Sequence, residues 1–351
     1  MADKKPQEKK SAGLQIKFLR KLTPAPEKRN EPSKGAYPAG RFKMCFDIIK
    51  SNFSNLAIVN ILTLLFALPM LAAVGFVAVL GFERFSYLLH GITETPYLMS
   101  NLGIGLSQGA SIAVAKADML IAYRVLFSAI AVSLPILGFG LAGIYHVVTK
   151  MVWGESFICK KDKYGNDIPR MVIEYFRGVK LYWKQTVVIM SVFAVVFAGA
   201  SNLIIGFVQG LWLNNLNAGH WFGLILSCLV GFVSILVLFN LLPMVVAYEL
   251  PLVTKLKNAF LLSAAFLVPT MFIISIASIP FILLVGGPLL KMLAALALSM
   301  IGFSFFCLIS ANYLGYNSEK IIVPLYETVL LNERKKNSKK KNKKGNSNKK
   351  Q

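Results

Sequence analysis

Arg124, His146, Asn240 and Glu249 are polar residues set in, or at the ends of, long apolar stretches. Ionisable groups at such depth in a hydrophobic segment are functional-site candidates by default, because lipid penalises them unless they are paired or face a cavity. Arg124 lies just inside the second of six apolar stretches and His146 near its far end; Asn240 and Glu249 lie near the end of the fourth. Lys291, at the start of the sixth, and Arg124 have long side chains that can snorkel to the headgroups. The chemistry within reach is charge-based binding of a solute or lipid. Proton- or ion-coupled transport usually needs carboxylates at mid-membrane, and none is paired within these stretches.

Covalent and metal chemistry find little support. Gly138, Gly140 and Gly143 match the letters of a dinucleotide fingerprint, but they sit inside an apolar stretch with no preceding soluble strand and no acidic partner. At that spacing small residues let helices approach closely in lipid. Cys45, Cys159, Cys228 and Cys307 show no CxxC spacing, and the three histidines, His90, His146 and His220, form no ligand motif. HExxH, GxSxG and P-loop patterns do not occur. The expectation is a non-enzymatic protein with no cofactor, no metal and no catalytic residue.

The elements that must position these residues follow from composition. The 351-residue chain is 56% hydrophobic and 15% charged, against roughly 25% charged in soluble domains. A helix crosses the ~30 Å hydrocarbon core in about 20 apolar residues. Continuous apolar runs at about 56–80, 120–148, 186–211, 221–248, 259–285 and 289–314 predict an all-α polytopic membrane bundle of six transmembrane helices, since only helices or closed barrels satisfy their backbone in lipid and a barrel would alternate.

Charge predicts the orientation. Of 38 Lys and Arg, 13 precede the first run, 8 lie in 149–185, 2 in 249–258 and 11 after the sixth run. These 34 fall on one side, which the retention of cations in the cytoplasm makes the inside. Both termini are then cytoplasmic. Residues 1–44 are expected to be a disordered basic tail without a signal peptide, 45–330 the membrane domain, and 331–351 a disordered polybasic tail. That tail carries ten cations and no acid from Arg334 to Lys350. It suits an anionic lipid surface, and it lacks the aromatics that specific nucleic-acid reading needs.

Three connections have features of their own. Phe42, Phe46, Ile49 and Phe53 share a helical face flanked by Arg41, Lys43 and Lys50, as in an interfacial helix. Residues 81–119, with Gly103, Gly105 and Gly109, form an extracytoplasmic insertion too broken to span. Residues 167–184 carry an apolar stripe of helical period, with Asp167 and Pro169 suited to a helix start, after an exposed turn at 160–166. This cytoplasmic amphipathic helix offers Arg170, Tyr175, Phe176, Arg177, Lys180 and Trp183 for docking a membrane or cytoplasmic protein, as coupling helices of permeases do.

The stretch Leu134-Pro135 through Gly138, Gly140, Tyr145 and Lys150, followed by Gly154-Glu155, resembles the signature of the YesL-like family of bacterial integral membrane proteins. Tyr175-Phe176 through Gln185, and Tyr248-Glu249-Leu250 with Lys257-Asn258-Ala259, are similar to later family segments. Leu137 and Leu141 replace the family's Thr and Pro at the signature turn. The resemblance adds Glu155 to the candidate positions. It implies a multi-pass protein of the bacterial plasma membrane linked to carbohydrate uptake. The expected function is an accessory or partner subunit in solute transport. A permease for a neutral solute, using a cavity among proline-kinked helices, and an insertase-like, ribosome-contacting protein are the alternatives.

Overall fold

The computed structural model describes Leu22 and residues 41–90, 112–155, 157–161, 167–283 and 288–322. The tails, most of the outer insertion and the tip of the 160–166 turn lie outside the described residues. The architecture is all-α with one small hairpin. Helices α1 (Arg41–His90) and α2 (Ile112–Trp153) are followed by β1 (Cys159–Lys161) and β2 (Asp167–Pro169), then α3 (Met171–Trp212), α4 (Ala218–Ala247), α5 (Leu252–Ala265), α6 (Leu267–Ala277), α7 (Ile279–Ile282), α8 (Pro288–Ala297) and α9 (Phe303–Asn317). A π-helical turn, Leu298–Gly302, joins α8 to α9, and a second, Ser318–Ile322, follows α9.

Among the described residues, five helical segments are long and apolar enough to cross a bilayer: Lys43–Gly75, Leu120–Trp153, Met171–Trp212, Ala218–Ala247 and Leu289–Ile322. The α5–α6 pair brings the number to six if it counts as one span, but it is bent by 99°. The expected continuous helix at 259–285 is therefore corrected to two short arms. At ~1.5 Å per residue, arms of 14 and 11 residues reach about 21 and 17 Å, too short to cross alone. The break falls at Phe266 (φ −119°, ψ 42°). Pro269 explains it: its ring would clash with the Ala265 carbonyl four residues back in an unbroken helix, whereas in the first turn of α6 its missing N–H costs nothing.

The 167–184 expectation needs a second correction. Asp167 and Pro169 do not start a helix; they form β2, which pairs antiparallel with β1 in the register Cys159↔Pro169 and Lys161↔Asp167. A residue before proline avoids the α region, which disfavours helix at Ile168. The helix begins at Met171 and runs without a break into the third apolar run. At the N-terminal end, Arg41–Met44 belong to α1 rather than to a tail, and the segment bearing Phe46 and Ile49 is set off by a non-helical residue, Asn52 (φ −123°, ψ 24°). The outer insertion is helical at both ends, since α1 continues to His90 and α2 starts at Ile112. Residues 112–119 are rich in alanine and free of proline and glycine, which favours helix.

The described residues divide into two compact units. One contains residues up to Ile61, Ala142–Tyr182 and the chain from Leu236; the other contains Leu62–Leu141 and Trp183–Ile235. In the second unit a Cβ on Gly140 would lie 3.1 Å from Phe66, and one on Gly138 would lie 3.2 Å from the Thr186 carbonyl. Phe139 stacks between Phe66 and Trp183 (centroids 6.3 and 5.6 Å). In the first unit Gly143 faces the ring of Tyr175. The glycines that spell a nucleotide motif thus sit where neighbouring side chains and backbone come close.

Candidate functional site

The first unit is organised around one buried carboxylate. Glu174 lies in the first turn of α3, where the helix dipole favours a negative charge, and its side chain is fully buried. Its Oε2 is 3.2 Å from His146 Nε2. Its Oε1 accepts from Lys150 Nζ at 3.2 Å and from the Ile158 backbone N–H at 3.1 Å. Arg177 Nη1 lies 3.9 Å away. His146 and Lys150 are one turn apart on α2, so both reach the same partner. A buried charge is tolerated only when it is paired and hydrogen-bonded. Glu174 meets that condition by tying α2, α3 and the strand lead-in together.

The end of α2 is shaped to complete this arrangement. Gly154 has φ +65°, in the left-handed region that suits glycine, and its N–H donates to the Met151 carbonyl at 3.3 Å. The Glu155 N–H donates back to the Lys150 carbonyl at 3.0 Å. This is a Schellman cap, which turns the chain sharply off the helix. Glu155 contributes its backbone to this cap, so the Gly154-Glu155 pair has a folding role.

A second polar cluster surrounds Pro243 of α4. Pro243 leaves the Phe239 carbonyl without its helical donor, and Ser310 Oγ on α9 supplies one at 2.7 Å. Tyr145 OH reaches Ser310 at 3.4 Å. Asn240 is buried; its Nδ2 donates to Ser263 Oγ at 2.9 Å and to the Leu236 carbonyl at 3.2 Å. Lys255, counted above among the loop cations, is instead 1% exposed and donates to the Val245 carbonyl at 3.2 Å. Thr270 and Tyr313 share a further bond at 3.0 Å.

Asn60 carries the most specific arrangement. Fully buried on α1, it donates through Nδ2 to the carbonyls of Leu298 (2.9 Å) and Ser299 (2.8 Å). Its Oδ1 accepts from the N–H groups of Phe303 (2.8 Å) and Ser304 (3.2 Å). One carboxamide thus stands in for a peptide unit where the π turn opens the helical ladder. Replacing Asn60 with leucine keeps the branched shape but leaves two carbonyls and two N–H groups without this partner. The expected loss is about 2 kcal/mol, read as a lower midpoint of thermal unfolding in detergent; an unchanged midpoint would show that the π turn closes on itself at no cost.

The remaining candidates are more dispersed. Arg124 lies in the second unit, exposed, and donates to Gln209 Oε1 at 2.7 Å. Glu249 is exposed in the link after α4. Of the proposed docking residues, Arg170, Phe176, Arg177, Lys180 and Trp183 are exposed. Tyr175 is completely buried against Gly143, which removes it from any docking face. Trp183 belongs to the second unit, stacked on Phe139. Comparison of the chain with known protein families, curated proteins and solved structures found no match. The fold and its internal polar braces define a polytopic helical membrane protein.

Sequence reasoning overlooked Glu174, Asn60 and Lys255. Each had a signal. Glu174 is the one acid on the stripe from Met171 to Trp183, and Asn60 interrupts an otherwise apolar run. Lys255 had only its charge, which pointed to solvent.

Proposed function

We propose that this protein is a non-enzymatic subunit of the bacterial plasma membrane that partners a solute-transport system, with carbohydrate as the solute class the YesL-like resemblance implies. The observation supporting this reading is the first two and a half turns of α3. Its inner face is fixed by Glu174, and its outer face presents Val172, Ile173 and Phe176, bordered by Arg170, Arg177 and Lys180. An exposed apolar strip framed by cations on a braced helix suits an acidic-rimmed apolar groove on a partner protein. The charge count favours a cytoplasmic position for this end of α3, where the soluble subunit of a transport system would meet it.

A photo-crosslinking amino acid at position 176, activated in intact membranes, tests the reading. The expected product is a discrete adduct larger than the chain by the mass of a second protein, reduced when Arg177 and Lys180 are both replaced with glutamate. Adducts to lipid alone would overturn it.

A further inference from the structure

We propose that the second unit holds a site for one anionic glycerophospholipid, with the phosphate on Arg124 and an acyl chain laid along α2 towards Ile136. The inference is independent of the docking role. The site is an open groove of about 620 Å³, lined by Pro69 of α1 and by Arg124, Ser128, Val132 and Ile136 of α2. That volume lies within the roughly 300–1,000 Å³ of small-ligand sites.

The occupant follows from position, length and charge. The α2 residues recur every four positions, so they form one face of the helix. Apart from Arg124 the groove is bounded by aliphatic and small residues, and Val132 is 74% exposed. In a spanning helix such a face meets acyl chains. From Arg124 to Ile136 is twelve residues, or about 18 Å, close to half of the ~30 Å hydrocarbon thickness. The groove therefore has the reach of one leaflet. In the sequence Arg124 stands a few residues inside the apolar run that follows Lys116 and Asp118, a position suited to a lipid phosphate drawn slightly inward.

Arg124 is also held ready for an anion. Gln209, three residues before the end of α3, accepts from Nη2 at 2.7 Å and fixes the side chain without neutralising it. Among the residues whose side chains are described, no carboxylate lies within ion-pair distance of Arg124. A guanidinium carries five donors in a planar fork, so one bond to glutamine leaves enough for a two-pronged grip on a phosphate. A cation in such a setting gains more from a phosphodiester than one in water would.

The test is native mass spectrometry of the full-length protein in detergent, titrated with dioleoyl-phosphatidylglycerol. One tightly retained lipid is expected. Arg124→Gln should weaken it about ten-fold, Val132→Trp should remove it by filling the groove, and Val195→Trp, an exposed change on α3 outside the groove, should leave it unaltered. On the unmodified protein, dioleoylglycerol and inorganic phosphate should each compete poorly, because each has only half of the recognised chemistry. Equal retention by wild type and both groove variants, or displacement by dioleoylglycerol as effective as by phosphatidylglycerol, would overturn the proposal. If either groove variant fails to fold, the competition on the unmodified protein decides the matter alone.

Discussion

Replacing Glu174 with alanine is expected to lower the stability of the detergent-solubilised protein by roughly 3–5 kcal/mol, the usual cost of removing one partner from a buried ion pair. The loss has two parts. Lys150, only 14% exposed, is left as a poorly solvated cation, and the Ile158 N–H loses its acceptor. Glu174→Gln should lose less, since its amide oxygen can still accept from Ile158 while its charge is gone. The informative variant is the double change Glu174→Leu with Lys150→Met. Substituting apolar groups for both members of a buried pair is often neutral, so the double variant should be more stable than Glu174→Ala despite carrying more changes. The readouts are the thermal unfolding midpoint and the rate of proteolytic cutting in the 156–166 segment. A Glu174→Ala protein that melts with the wild type and resists protease equally would dismiss the carboxylate as the organising centre.

The second large effect is expected at Gly178. A Cβ there would land on the Cβ of His146, with Cγ only 2.8 Å away. The first carbon of a side chain cannot rotate out of the way, so α2 and α3 would have to part. Overpacking of this kind costs about 3 kcal/mol. The sign is diagnostic, because Gly→Ala within an unencumbered helix gains up to about 1 kcal/mol. Gly143→Ala should be less severe. The Tyr175 ring lies 2.7 Å from the added carbon, but a ring can tilt where a Cβ cannot. Unfolding midpoints of the two variants side by side test this order; a Gly178→Ala protein more stable than wild type would mean that the helices are not in contact at this point.

How much of this was legible in the chain depends on range. The apolar runs read directly, because lipid imposes length and composition residue by residue. The bend at Phe266 did not, although Pro269 was in view: proline is common in spanning helices that merely kink, and only the structure separates a kink from a right-angled break. The 167–184 stripe was visible, but its start was misplaced, since the partner of Asp167–Pro169 is a strand eight residues earlier in the chain and helical periodicity says nothing about pairing. His146 was flagged from its depth alone. Its partner Glu174 was overlooked, since a lone acid beside Arg170 and Arg177 looks solvated. Asn60 was invisible in role because the π turn it bridges lies 238 residues away. Tyr175 was misjudged for a related reason. An amphipathic stripe identifies the apolar face but not whether lipid, a partner or the protein's own glycine covers it.

The right angle at Phe266 also bears on where the chain ends. If α5 and α6 enter and leave by the same face, the polypeptide crosses five times, an odd number, and its two extremities part company. If the pair counts as one traverse, the number is even and they meet again. Thirteen cations at the front and eleven at the back resist export together, so electrostatics selects the even count. Keeping both basic ends in one compartment therefore requires that the proline-driven elbow count as one traverse.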